Sequence, residues 1–147
     1  MIAYVDSSLL TRAYLPDEHG HEEARQLLAT RDIAFVTGRI TRIEVSGALA
    51  RAARAGRHPS RRQAYAALDS ELGPGGRIVE ANPPADDVEQ VALVLVREHG
   101  IRALDAFHLA VASIVLPKLA DKGEPLGFAS RDGDQAVVAE SLGFAAV

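Results

Sequence analysis

The sequence predicts an α/β fold in three layers, α/β/α, around a mainly parallel sheet of four to five strands. Short apolar runs bounded by turn or polar residues recur along the chain and read as buried strands. Segments with helical spacing of apolar residues separate them from end to end. Parallel strands need crossover connections, and this alternation supplies them.

The elements follow in order. Ile2 to Val5 forms the first strand, and Asp6 comes directly after it, in position to cap the next helix. His21 to Ala29 is helical, with apolar residues at 24, 27 and 28, and leads into a second strand over Ile33 to Val36. The alanine-rich stretch Thr41 to Ala55 is a helix stopped by Gly56, and Ser60 to Leu72 is another that ends at Gly73. Pro74-Gly75-Gly76 is a turn before a short strand at Ile78 and Val79. A helix starting near Asn82, with the proline pair in its first turn, presents Val88, Val91, Ala92 and Leu95 on one face until Gly100. From Leu104 to Val115 the helical pattern returns, with Pro117 closing it. Leu126 to Ala129 is a strand, Gln135 to Leu142 a last helix, and Phe144 to Val147 an apolar stub. Tyr4, Phe107 and Phe128 fall on core positions, and no aromatic cluster suggests base stacking.

A chain of 147 residues fits one domain, residues 1–147, with one core. Its 48% of apolar residues and 24% of charged ones exclude a disordered tail or a linker. Without cysteine there is neither a disulfide framework nor a thiolate metal site. No charged leader precedes an apolar stretch at the N-terminus, and no run reaches the roughly 18 apolar residues of a membrane span. The expectation is a soluble, cytoplasmic protein with no membrane partner. A net charge of −4 argues against coating nucleic acid by bulk electrostatics. The charge is uneven, however: Arg39 to Arg62 holds seven arginines (39, 42, 51, 54, 57, 61, 62) against the single acid Glu44. That stretch reads either as a solvated helix face or as a phosphate-binding flank beside an acidic centre. Arg51 and Arg54 share a helical face, and Arg42, two residues before Glu44, is placed to pair with the acids and tune them.

Each acid has a local explanation. Asp6 caps a helix; Glu44 completes a capping box in Thr41-Arg-Ile-Glu; Asp105 sits in a first turn, where the helix dipole favours it; Asp132 caps the last helix, with Gln135 completing a box. Their shared placement goes further, because Asp6, Glu44 and Asp132 all follow strands and fall at one edge of a parallel sheet, where ligands of such sheets gather. Asp105 follows a helix, so pattern alone does not put it there. Carboxylates converging on one site repel and raise one another's pKa unless a hard cation neutralises them. Oxygen donors without Cys or a His cluster suit magnesium or manganese, which can promote hydrolysis at a phosphoryl group.

Four blocks in order resemble the motif blocks of VapC-type PIN domains. They are Tyr4-Val5-Asp6-Ser7-Ser8, Glu44 within Arg-Ile-Thr-Arg-Ile-Glu-Val, Leu104-Asp105-Ala106-Phe107-His108-Leu109-Ala110, and Phe128-Ala129-Ser130-Arg131-Asp132 followed by Gly143. The resemblance implies a PIN-like fold and a Mg2+- or Mn2+-dependent endoribonuclease, the toxin of a type II toxin–antitoxin pair. It makes Asp6, Glu44, Asp105 and Asp132 the metal-binding catalytic acids and likens Ser7 to the family's small hydroxyl residue beside the first acid. It also implies RNA as substrate, a cognate VapB-type antitoxin as partner, and a homodimer. In the last block Gln135 and Val138 stand where a leucine and an alanine are more usual, and Asp134 offers a second acid, which leaves the fourth ligand between Asp132 and Asp134. His108, one turn from Asp105, is within reach of it but lies on an apolar stripe typical of a core residue. His19 and His21 flank Gly20 and read as solvent-facing.

Two other readings compete. A phosphoacceptor receiver-like domain needs a lysine after a later strand, but Lys118 and Lys122, the only lysines, both precede Leu126. A catalytically inert PIN-like binding partner would not need the intact acid set.

Overall fold

The computed structural model describes residues 1–57 and 60–147. Five strands, β1 (Ile2–Val5), β2 (Ala34–Gly38), β3 (Ile78–Ala81), β4 (Leu126–Ala129) and β5 (Ala145–Ala146), form one sheet. Their order is β3-β2-β1-β4-β5, and every pairing is parallel. The helices are α1 (Ser7–Tyr14), α2 (His21–Ala29), α3 (Arg39–Arg54), α4 (Arg61–Leu72), α5 (Ala85–His99), α6 (Ala103–Leu119) and α7 (Gly133–Ser141).

Strand side chains alternate between faces, and this divides the core in two. On β1, Ile2 and Tyr4 join one apolar cluster with residues of α5, α6 and α7, while Ala3 and Val5 join the other with residues of α1, α2, α3 and α4. Phe35 and Val36 of β2, and Ala129 and Phe128 of β4, are split the same way. Covered on both sides, β1 is buried along its whole length, as expected of the central strand of a parallel sheet. This is the expected three-layer architecture, with the terminal stub supplying the fifth strand.

Several expected boundaries move, three of them for identifiable physical reasons. The helix expected from Thr41 begins two residues earlier, at Arg39, with Gly38 as its cap. A Cβ on Gly38 would lie 2.9 Å from the Tyr4 hydroxyl, so the strand can turn into the helix this close to β1 only because position 38 lacks a side chain. The proline pair lies before α5, not in its first turn: a residue preceding proline is disfavoured in the helical region, and the helix starts at Ala85 with Pro84 as the cap. Pro117 does not close α6, which runs to Leu119. In the last turn a proline removes a single backbone bond, and the chain continues for two more residues. Among the described residues no helix is long and apolar enough to cross a membrane.

Candidate active site

Asp6 leaves β1 at its carboxyl end and caps α1, with Oδ1 accepting from Leu9 N at 3.0 Å. The cap coexists with wider ties. Ser8 Oγ lies 2.8 and 2.9 Å from the two carboxylate oxygens, and Ser130, arriving from the end of β4, lies 2.8 Å from Oδ2. The hydroxyls on Asp6 are thus those of Ser8 and Ser130, and Ser7, the residue expected from the sequence, is not among its hydrogen-bonding partners. At 3% exposure Asp6 is nearly out of water, and burial pushes its pKa above the ordinary carboxylate range against the lowering effect of those hydrogen bonds and of His108.

Ser130 also ties the last block to the site. Its hydroxyl lies 2.7 Å from Gln135 Oε1 and accepts from Asp132 N, while Gln135 Nε2 donates to the Asp105 carbonyl at 3.2 Å. Asp132 caps α7 as expected, its Oδ1 accepting from the amides of Asp134 and Gln135. The Gln135 side chain does not reach back to complete a capping box; fully buried, it couples α7 to the start of α6. That coupling brings Asp105 to the strand ends, which the order of elements could not predict.

Asp105, Asp132 and Asp134 line one cleft of about 550 Å³ together with His99 and Arg102. The Asp105 pKa is raised, first by burial and then by repulsion from Asp132, with a smaller repulsion from Asp6; Arg102 and His108 oppose this. Of the two candidates for the last acid, Asp132 is therefore the one whose charge Asp105 feels. Asp134 is exposed on the same wall.

Glu44 does not close a capping box, because Thr41 is buried inside α3 and receives a hydrogen bond from Thr37 Oγ1 at 2.7 Å. One carboxylate oxygen of Glu44, Oε2, instead meets His108 Nε2 at 2.7 Å. His108 is buried at 2% exposure, and its Nδ1 lies 2.8 Å from the Tyr4 hydroxyl, so its partners are Glu44 and Tyr4, not Asp105. Arg42 also departs from expectation. It bonds Glu80, Asp69 and the Leu72 carbonyl, drawn away from the acid cluster by a nearer set of acceptors at the end of α4 and on β3. His21 is half-buried, bonded through Nδ1 to the Arg12 carbonyl, whereas His19 is exposed as expected.

The donor set of Asp6, Glu44, Asp105 and Asp132 is all oxygen, and repulsion such as that between Asp105 and Asp132 is the kind a hard cation relieves. Its chemistry therefore fits a magnesium- or manganese-sized ion. Among the described residues no three acidic or histidine side chains already stand close enough to enclose one; hydrogen bonds hold them in place. Tyr4, Ser8, Arg102, Ser130 and Gln135 are additions that sequence reasoning did not rank, although Tyr4 and Ser8 lie within the first motif block and Ser130 and Gln135 within the last.

By sequence, no functionally curated protein matches the chain. Solved structures do. VapC20 of Mycobacterium tuberculosis, described as a toxin that cleaves the sarcin–ricin loop, superposes with a TM-score of 0.63 at 23% identity, covering 97% of this chain and 95% of that one. PAE2754 of Pyrobaculum aerophilum aligns with a TM-score of 0.60 at 21% identity, over 100% and 84%. A toxin–antitoxin complex of Klebsiella pneumoniae contains a chain that aligns with a TM-score of 0.56 at 20% identity, over 88% and 86%. The model of the PIN domain family matches residues 3–140, a span that takes in all the acids gathered at the strand ends, and the chain belongs to that family.

Proposed function

We propose that this protein is a divalent-metal-dependent endoribonuclease, the cytoplasmic toxin of a type II toxin–antitoxin pair. The observation that carries the reading is the convergence of Asp6, Asp105 and Asp132 from three separate elements, with Asp6 and Asp105 destabilised as anions by burial and Asp105 also by its acidic neighbours. Carboxylates kept near one another against that cost favour a positively charged ligand. Asp6, Asp105, Asp132 and Glu44 would hold Mg2+ or Mn2+. When bound, the ion supplies positive charge that stabilises the charge developing on a phosphodiester undergoing hydrolysis. Ser8, Ser130 and the Leu9 amide fix the Asp6 carboxylate in orientation. Gln135 fixes the backbone of Asp105, and Arg102 lines the cleft where a guanidinium can engage a backbone phosphate of RNA. The similar structures of a sarcin–ricin loop-cleaving toxin and of a toxin–antitoxin complex support RNA as the substrate and a VapB-type antitoxin as the partner; a homodimer is the proposed assembly.

The test incubates the purified protein with total RNA in Mg2+, in Mn2+ and in chelator, beside Asp6→Asn. Cleavage that needs the metal and the Asp6 carboxylate supports the proposal. RNA left intact by the folded wild type in both metals would assign the chain to the inert PIN-like alternative.

A further inference from the structure

A buried chain of hydrogen bonds starts on the backbone of β2 and ends on Glu44. Gly38 N donates to the Tyr4 hydroxyl at 3.0 Å, the hydroxyl lies 2.8 Å from His108 Nδ1, and His108 Nε2 lies 2.7 Å from Glu44 Oε2. Tyr4 is 0% and His108 2% exposed. Both rings are fixed by packing as well, since Tyr4 stacks on Phe128 at 5.4 Å and meets the edge of His108 at 5.8 Å.

The donors give this chain a direction. A backbone amide can only donate, so the Tyr4 oxygen accepts from Gly38 and is held facing Nδ1. At the other end the Glu44 carboxylate can only accept, so His108 carries a proton on Nε2 and donates it to Oε2. The glutamate is then held through Oε2, and Oε1 remains the oxygen available at the site.

We infer that Tyr4 and His108 are positioning residues for the acid site: their relay from Gly38 commits Glu44 Oε2 and leaves Oε1 for the cation. This rests on the proposed cation-dependent nuclease. Without the relay a glutamate side chain regains its rotamer freedom, and fixing it again on binding weakens the ligand set. Partners that orient a metal ligand in this way are worth roughly 10–100-fold in metal affinity or activity.

The experiment is isothermal titration of Mn2+ into the purified chain, comparing wild type with Tyr4→Phe, His108→Gln, His108→Leu and Asp6→Asn. His108→Leu is expected to raise the Kd for Mn2+ about tenfold or more. His108→Gln, which restores a donor, should regain part of the loss, and Tyr4→Phe, which keeps the stacked ring, should fall between them. Affinity for RNA in chelator should stay at the wild-type value in all three. Wild-type Mn2+ affinity in the three relay variants overturns the inference and leaves the acid site standing. A wild type that binds Mn2+ no better than Asp6→Asn overturns the cation reading and the relay with it. The ring 15N spectrum of wild-type His108 gives a second readout that survives misfolding of any variant: a proton on Nε2 supports the relay, and a proton on Nδ1 alone overturns it.

Discussion

The Asp6 carboxylate is shielded from water yet held by donors that suit its ionised form, and the balance leaves its pKa above the ordinary value because burial outweighs the hydrogen bonds. A raised acid pKa means that the folded state binds a proton more readily than the unfolded one. Stability from this group is therefore full below the unfolded pKa near 4 and is lost as pH rises through the folded value. Asp6→Asn removes that loss and keeps a good helix cap. The metal-free variant should melt above wild type at neutral pH, with the gap closing as pH falls toward the carboxylate range; a gap of constant size in thermal melts across that range would show that Asp6 ionisation is not its source. The same substitution, and Asp105→Asn, should abolish RNA cleavage with the fold intact by circular dichroism, and full cleavage by either would remove that acid from the mechanism. These acids were legible because each sits beside a strand end or within a motif block. The partners of Glu44 were not: His108 lies 64 positions away and meets it only through the packing of α6 on the sheet. Ser130, 124 positions from Asp6, was hidden for the same reason.

Helix α3 carries most of the arginine run, and its members do different work. Arg42 joins α3 to the end of α4 and to β3 through Asp69, the Leu72 carbonyl and Glu80. With about a third of its side chain exposed, these ties contribute on the order of 1 kcal/mol. Arg42→Ala should lower stability in denaturant melts by about that amount and leave the single-turnover cleavage rate unchanged, reversing the expectation from its nearness to Glu44 in sequence; a slowed rate with unchanged stability would restore that expectation. Arg57 is taken up by Asp17 and Glu18, whereas Arg51 and Arg54 stand exposed in the last turn of α3. Arg51→Ala with Arg54→Ala should weaken RNA binding and reduce its salt dependence by roughly 0.7 of a slope unit per lost contact to a single strand. Unchanged affinity and slope would return the pair to a solvated face. Element types followed from periodicity, and α2 matches its expected span from end to end. The start of α3 did not, because it depends on a clearance between Gly38 and Tyr4 that belongs to the assembled sheet.

At the scale of the whole molecule, a bound ion stabilises every element that contributes a ligand. Millimolar Mg2+ or Mn2+ should raise the melting temperature by mass action, about 2.7 kcal/mol when the metal is at a hundred times its Kd, and the shift should shrink greatly in Asp6→Asn. A melting temperature that ignores both metals would count against cation binding by the free protein. The layered architecture was legible because alternating periodicities force crossovers; the strand order was not, since any of several arrangements buries the same apolar runs. That order has a consequence for synthesis. Strand β1 occupies the centre of the sheet beside β4, and Ser130, which follows β4 and clasps Asp6, is made 124 residues after it. At about 5–20 residues per second, roughly 6–25 seconds of translation separate the two halves of the acid centre. Through that interval a growing chain carries Asp6 without the hydroxyl that holds it, and the acid centre cannot assemble until the segment after β4 has been made.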